Sequence, residues 1–322
     1  MKKMIEVLIL ERDAEYYAAG LRNAFPDLEI RAATGAEQAL AMGAKAEVIV
    51  ALAQDVSSAL VEKARRLRWI AALTTGIDPL LALTNLPDGV IVTSGRGIHG
   101  PQMAELAFFY MIALSRNLRG MMRNQERRVW RRWPQPLLLG KTVTLIGVGA
   151  ISEEIAARCK VFGMNVVGVS SSRTSAPHFD RILSRQRLAE AAALADFLIV
   201  VAPYDATTHH LIDADVLHSM KDGSIFINIA RGNVVDETAL IRELQSDRLT
   251  GAGLDVFSRE PPVDHNPLWA MDHVIMTPHI GGMSDVYAQQ ALPALIANMR
   301  AFLDGRIDAM PNRIQLKKER YE

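Results

Sequence analysis

The 322-residue sequence holds one cysteine, Cys159, which excludes an intrachain disulfide and a cysteine-built metal centre. It has no excess of either charge: 36 Lys and Arg stand against 36 Asp and Glu. Nothing in the overall balance therefore draws it to nucleic acid or to an acidic membrane surface. Long apolar runs are missing too. The longest, Leu106 to Leu114, falls far short of the roughly 20 residues that span a bilayer. The run Val7–Leu10 is too short for a secretory core and is flanked by Glu6, Glu11 and Asp13. A soluble, cytoplasmic protein with no membrane partner is expected. No fixed-period repeat or low-complexity tract is present. What is abundant is apolar residues, 49% of the chain, with 22% charged. That composition builds a sizeable core, and at about 150 residues per domain the length suggests two domains.

Short apolar runs alternate with helix-like spacing over the first hundred residues. Val7–Leu10, Ala46–Leu52, Trp69–Leu73 and Val90–Thr93 read as buried strands, with helices over Tyr16–Phe25, Gly35–Ala44 and Asp55–Arg66. Such alternation predicts a parallel sheet covered on both faces. A long helix is predicted from Pro101 to about Leu118. A second strand–helix series follows, with strands at Val143–Ile146, Val166–Val169, Phe197–Ala202, Ser224–Ile229, Gly251–Val256 and Val274–Met276. A last helix is expected from about Ser284 to Phe302, then a loose tail around Lys317–Arg320.

Arg116, Arg119, Arg123, Arg127, Arg128, Arg131 and Arg132 gather with Trp130 and Trp133. A nucleic-acid patch would use such residues, but the balanced charge offers it no support. A solvated helix or a subunit contact is the favoured reading, since Arg and Trp are enriched at interfaces.

Two glycine patterns compete for a dinucleotide. Gly95-Arg96-Gly97-Ile98-His99-Gly100 matches G-x-G-x-x-G literally, but a long helix and the Arg-rich stretch follow it, with no returning strand. Gly147-Val148-Gly149-Ala150-Ile151-Ser152 ends in serine, yet it lies between a strand and a short helix that leads to another strand. Glycines serve a dinucleotide only in that βαβ setting, so the imperfect match is preferred and the literal one is read as a hinge. Gly147 permits the tight turn, Gly149 admits the pyrophosphate, and the amides of Ala150 and Ile151 face the anion at the helix N-terminus. Ser152 is small enough for close packing. Glu153 and Glu154 suit a helix start and are expected to point outward.

An NAD site usually carries an acid at the end of the second strand, to bond the ribose hydroxyls. Here the strand runs into Ser170-Ser171-Ser172-Arg173. Serine hydroxyls can bond a 2′-phosphate and Arg173 can neutralise it, so NADP(H) is preferred, with NAD(H) possible.

Three later segments place chemistry just beyond strands. Ile227-Asn228-Ile229-Ala230-Arg231-Gly232 supplies an arginine, Leu254-Asp255-Val256-Phe257-Ser258-Arg259-Glu260-Pro261 an acid, and Thr277-Pro278-His279-Ile280-Gly281-Gly282 a histidine. Ligands of open parallel sheets bind outside the carboxyl ends of the strands, so Arg231, Glu260 and His279 are proposed as one catalytic set. His209-His210 and the pair His265 and His273 lack carboxylates at metal-motif spacing, and no metal is expected. Cys159 reads as packing and His99 as an ordinary hinge residue.

This ordered set behind a glycine fingerprint resembles the D-isomer-specific 2-hydroxyacid dehydrogenases, in their glyoxylate/hydroxypyruvate reductase-like branch. The resemblance is densest from Gly140 to Gly282. It implies two Rossmann-like or flavodoxin-like doubly wound parallel-sheet α/β domains, with a cleft between them that closes on substrate. The substrate-binding domain would be 1–98 plus 285–322, and the dinucleotide-binding domain 99–284. The implied reaction is hydride transfer between NAD(P)H and a small 2-oxo acid, giving a D-2-hydroxy acid; glyoxylate and hydroxypyruvate are the leading substrates. A bulkier 2-oxo acid such as hydroxyphenylpyruvate, or a non-catalytic NAD(P)-sensing protein on the same scaffold, are the alternatives. By the same resemblance Arg231 would bind the substrate, His279 would exchange the proton, and Glu260 would fix the imidazole tautomer. Gly76 and Ile77, in Thr75-Gly76-Ile77-Asp78, would hold the substrate carboxylate, with Leu52 and Ala53 lining the same region. Ala230 and Asp255 would meet the nicotinamide carboxamide, with His279 and Gly281 beside the ring. Ala202, Pro203 and Thr208 would lie near the adenosine half. The Arg-rich stretch falls where the family makes a homodimer contact.

Overall fold

The computed structural model describes residues 4–315. The chain divides into two compact units, Met1–Ile98 with Ser284–Glu322, and His99–Met283. Each is an α/β unit built on its own parallel sheet.

In the first unit β1 (Glu6–Leu10), β2 (Glu29–Ala33), β3 (Val48–Ala51), β4 (Trp69–Ala72) and β5 (Ile91–Thr93) lie in the order 5-4-3-1-2. This is the flavodoxin-like doubly wound arrangement. The interior strands β1, β3 and β4 are buried along their whole length, as strands covered by helices on both faces must be. The two-residue strand Arg313–Ile314 closes the sheet by pairing antiparallel with β5. The helix Tyr287–Leu303 returns to this unit and buries Ala291, Leu295, Met299 and Phe302. Phe302 lies against Trp69 with ring centroids 5.2 Å apart, and the Tyr287 hydroxyl donates to the Leu73 carbonyl at 2.7 Å.

In the second unit seven parallel strands run β6 (Thr142–Ile146), β7 (Asn165–Ser170), β8 (Arg181–Ser184), β9 (Phe197–Val200), β10 (Ile225–Asn228), β11 (Gly251–Leu254) and β12 (Val274–Met276). Their order is 8-7-6-9-10-11-12, so the sheet reverses direction between β6 and β9. That reversal is where this fold class takes its ligand.

Three strands escaped sequence reading, β2, β8 and the two-residue strand Arg313–Ile314, and all are sheet edges. β2 (EIRAA) has one fully buried residue, and its Arg31 bridges Glu29 and Glu6. β8 (RILS) buries only Leu183. Edge strands carry charged residues on the open side, which erases the apolar run that marks interior strands.

The helix expected to run from Pro101 to Leu118 is two helices, Gly100–Ser115 and Leu118–Glu126. Asn117 breaks it: its φ is +53°, and its side chain caps the second helix by accepting from the Gly120 amide. The second helix has no buried residue. Arg119 donates to the Met271 carbonyl and Arg123 pairs with Asp272, so part of the Arg-rich stretch ties this helix to its own unit. The expected loose tail around Lys317–Arg320 lies outside the described residues. Among the described residues no helix is long and apolar enough to cross a membrane.

Candidate active site

Gly147 leaves β6 with φ +101°, and a Cβ there would come within 2.9 Å of the Ala202 backbone beyond β9. Two chain segments thus meet at the point where the sheet reverses, and only glycine fits. Gly149 is the N-cap of helix Ala150–Val161 and offers no side-chain cap, and the space where its Cβ would stand is open. The first-turn amides therefore face a vacant, glycine-lined approach suited to an anion. Ser152, at the third glycine position, is buried, and its hydroxyl donates to the Gly147 carbonyl at 2.5 Å. The serine fastens the helix to the turn where glycine would merely allow it close. These residues fit a dinucleotide pyrophosphate.

At the end of β7 the Ser170 hydroxyl accepts the amides of Ser172 (3.3 Å) and Arg173 (3.0 Å). Ser171 and Ser172 are exposed. Arg173 Nη1 bonds Glu153 Oε1 at 2.5 Å, so Glu153, expected to point outward, is partly exposed but turned toward Arg173. The two side chains lie within reach across the helix start, and a charge-assisted bond holds the carboxylate there. Glu154 bonds Arg158 one turn along its own helix. In the loop after β9, Ala202 is buried and Pro203 exposed. Thr208 is buried, donating to the Pro203 carbonyl at 2.9 Å and accepting the Asp205 amide at 2.7 Å. Its hydroxyl shapes the loop.

Three further strands lead into Arg231, Glu260 and His279, the residues expected to act together. Arg231 follows β10 in a turn clamped by Asn228. The buried Asn228 amide donates to the Arg231 carbonyl (3.0 Å) and accepts the Ala230 amide (3.1 Å). Ala230 is buried, and its carbonyl accepts Arg231 Nη1 at 2.7 Å. A Cβ on Gly232 would collide with the Phe257 carbonyl at 1.9 Å, so this glycine lets the arginine turn lie directly on the loop carrying Glu260. Glu260 Oε1 accepts the Phe257 amide at 3.1 Å, and its Oε2 meets His279 Nδ1 at 2.7 Å. Burial pushes the Glu260 carboxyl up. The hydrogen bonds from His279 and Phe257 and the charges of His279 and Arg231 outweigh burial, leaving it below its ordinary range. With Nδ1 committed to the carboxylate, the other ring nitrogen, Nε2, is left for proton exchange.

His279 adopts φ +53°, a conformation that costs a non-glycine residue about 1–3 kcal/mol and needs support. Asp255 supplies it. The buried Asp255 accepts the Thr277 hydroxyl (2.5 Å) and Ile280 amide (3.0 Å) on Oδ1, and the Gly281 amide (2.9 Å) on Oδ2. Its own carbonyl accepts the His279 amide at 2.9 Å. A Cβ on Gly281 would press on Leu106 at 2.4 Å and on Asp255 Oδ2 at 2.8 Å. Tyr110 completes the set: its hydroxyl lies 2.5 Å from Thr277 Oγ1. Since Thr277 spends its single proton on Asp255, Tyr110 is the donor, and burial, which pushes its phenol pKa up, keeps that proton in place.

In the first unit the loops after β3 and β4 are linked. The Ala53 amide donates to Thr74 Oγ1 at 3.3 Å, and that hydroxyl donates to the Gly76 carbonyl at 2.7 Å. Ala53 and Ile77 are buried, and Leu52 and Gly76 are half-buried. The literal glycine pattern serves packing. A Cβ on Gly95 would stand 1.9 Å from the Leu73 carbonyl, and one on Gly100 would press on Glu154 of the 150–161 helix at 2.6 Å.

Residues 108–281 match the family model described as D-isomer specific 2-hydroxyacid dehydrogenase, NAD binding domain. The chain belongs to this family. It is similar to a D-3-phosphoglycerate dehydrogenase of Methanocaldococcus jannaschii, 31% identical over 88% of this chain. The matched region spans only 56% of that longer protein. A glyoxylate reductase of Pyrococcus horikoshii is 32% identical, covering 85% of this chain and 86% of its own. Among solved structures, a D-isomer specific 2-hydroxyacid dehydrogenase family protein from Aeromonas salmonicida superposes with a TM-score of 0.88. It is 32% identical, covering 97% of this chain and 99% of its own.

For this family member, sequence reading passed over several residues that shape the site. Asn228 and Thr277 sit at strand ends beside the charged residues that dominate the sequence signal there. Tyr110, Thr74 and the Glu153 contact had no local signal, because each acts on a partner far along the chain. Among the described residues no group of three or more His, Cys, Asp or Glu is placed to hold a metal.

Proposed function

We propose that this dehydrogenase reduces a small 2-oxo acid to its D-2-hydroxy acid, with glyoxylate and hydroxypyruvate as leading substrates and NADPH preferred over NADH. The observation that carries the reading is the convergence of Arg231, Glu260 and His279 in one unit, at the ends of adjacent strands. A bound reduced nicotinamide supplies the hydride to the substrate's carbonyl carbon. The planar guanidinium of Arg231 pairs with the substrate carboxylate and carbonyl oxygen, which accumulates negative charge as the carbon is reduced. His279 Nε2 gives its proton to that oxygen, and takes one from the hydroxyl in the reverse direction. Glu260 holds Nδ1, fixing the ring's tautomer and orientation.

The functional division follows the sequence reading: 1–98 with 285–322 for substrate, 99–284 for the dinucleotide. The amides of Gly76 and Ile77 are assigned to the substrate carboxylate, with Leu52 and Ala53 beside them. The turn from Gly147 to Ile151 takes the pyrophosphate, Ser170–Arg173 the 2′-phosphate, and Ala202 and Pro203 the adenosine side. Ala230, Asp255 and Gly281 border the nicotinamide. The protein works in the cytoplasm as a homodimer. Exposed Trp130, Leu137 and Leu139 in the segment after the Arg-rich helix support the dimer assignment.

The test is NADPH oxidation with glyoxylate, hydroxypyruvate and hydroxyphenylpyruvate. Turnover highest with the two small acids is expected. Preference for the aromatic acid would reassign the substrate, and no turnover with any 2-oxo acid would favour a sensor.

A further inference from the structure

Arg173 and Glu153 come from different elements, the turn after β7 and the first turn of helix 150–161, and meet through the 2.5 Å bond described above. Both side chains are about one-third exposed, at 38% and 32%. The Ser170 hydroxyl orders the Arg173 backbone by accepting its amide, so the guanidinium is presented from a fixed turn. Arg173, the cation assigned to a 2′-phosphate, therefore already faces a carboxylate.

We propose that Glu153 is a specificity-determining residue for the cofactor, restraining the preference for a 2′-phosphate so that NADH also binds. The inference rests on the assignment of Arg173 to the 2′-phosphate. A phosphate arriving beside the pair gains the guanidinium donors that Glu153 leaves free, but meets the carboxylate at similar range. Attraction and repulsion then have the same order of magnitude, so the carboxylate offsets part of what the guanidinium contributes. A neutral ribose hydroxyl meets no such repulsion. A carboxylate near the ribose is also what NAD-binding folds ordinarily provide from the strand end, which here carries serines. Glu153 brings that charge in from the helix instead. As a partly exposed ion pair it contributes little to stability, so its removal should disturb recognition far more than folding.

Dissociation constants for NADPH and NADH, read from nucleotide fluorescence on titration, test this in wild type, Glu153→Gln, Arg173→Ala and the double variant. Glu153→Gln should tighten NADPH about threefold to tenfold and leave NADH unchanged or weaker, with the melting temperature near wild type. The double variant should behave as Arg173→Ala. If Arg173→Ala selectively weakens NADPH while Glu153→Gln leaves the NADPH/NADH ratio unmoved, the proposal fails and the 2′-phosphate assignment stands. Equal loss of both cofactors in Arg173→Ala would overturn the assignment and the proposal with it.

Discussion

The Tyr110 hydroxyl donates to Thr277 across 2.5 Å, which ties helix 100–115 to the turn presenting His279. The contact is possible because β11 is lean at this point: a Cβ on Gly253 would stand 2.4 Å from the Tyr110 ring. Tyr110→Phe should remove one buried donor, costing about 1–2 kcal/mol of stability. It should lower kcat severalfold with a smaller change in KM, because the loss falls on the orientation of His279. Thr277→Val should be worse, since it also strips a hydrogen bond from Asp255. Kinetics of both variants against a melting curve separate orientation from stability.

His279→Ala should lower turnover by about 100-fold or more, as expected for loss of a general acid. The same group serves both directions, as acid in reduction and as base in oxidation of the D-2-hydroxy acid. Initial rates in both directions check this; loss in one direction alone would count against the assignment.

Glu260 has a stability signature of its own. Its carboxyl is held below the ordinary range in the folded state, so its contribution is complete above the unfolded value and is lost as pH falls through the folded one. The wild-type melting temperature should fall more steeply than that of Glu260→Gln from about pH 5 to about pH 3.

Gly147→Ala should abolish dinucleotide binding. The substitution combines a φ of +101° with a clash against the Ala202 backbone that no rotamer relieves. Ser152→Ala is milder, removing one hydrogen bond at a cost of about 1 kcal/mol, and should weaken cofactor binding only modestly. Nucleotide titration ranks the two.

Cys159 should be inert. It is buried in the 150–161 helix, and burial pushes its thiol up to about 12. A thiol reagent at mildly alkaline pH should label the protein only after denaturant is added.

Much of the fold was legible because interior parallel strands are nearly pure apolar runs, such as VIVA in β3 and FLIV in β9. Strand ends could then be paired with the chemistry that follows them, which singled out Arg231, Glu260 and His279, and the last two meet at 2.7 Å. The edges β2 and β8 were hidden because an open edge trades apolar residues for charges. The break at Asn117 was hidden because a left-handed asparagine needs no glycine or proline to announce it. Connections such as Tyr110 to Thr277 or Arg173 to Glu153 span many residues and leave no local spacing to read. By size alone the serine at position 152 is only a tolerated substitute for glycine, whereas its hydroxyl makes a bond that glycine could not.

The return of helix 287–303 to the first unit has a consequence for how the chain is made. Tyr17, Trp69 and the face of β1, β3 and β4 they share are sealed by Leu295, Met299 and Phe302. A ribosome delivers those residues only after the whole middle unit has emerged. The early sheet must therefore wait, half-covered, while the later-made Rossmann unit is free to fold first, reversing the usual N-to-C order of folding during synthesis.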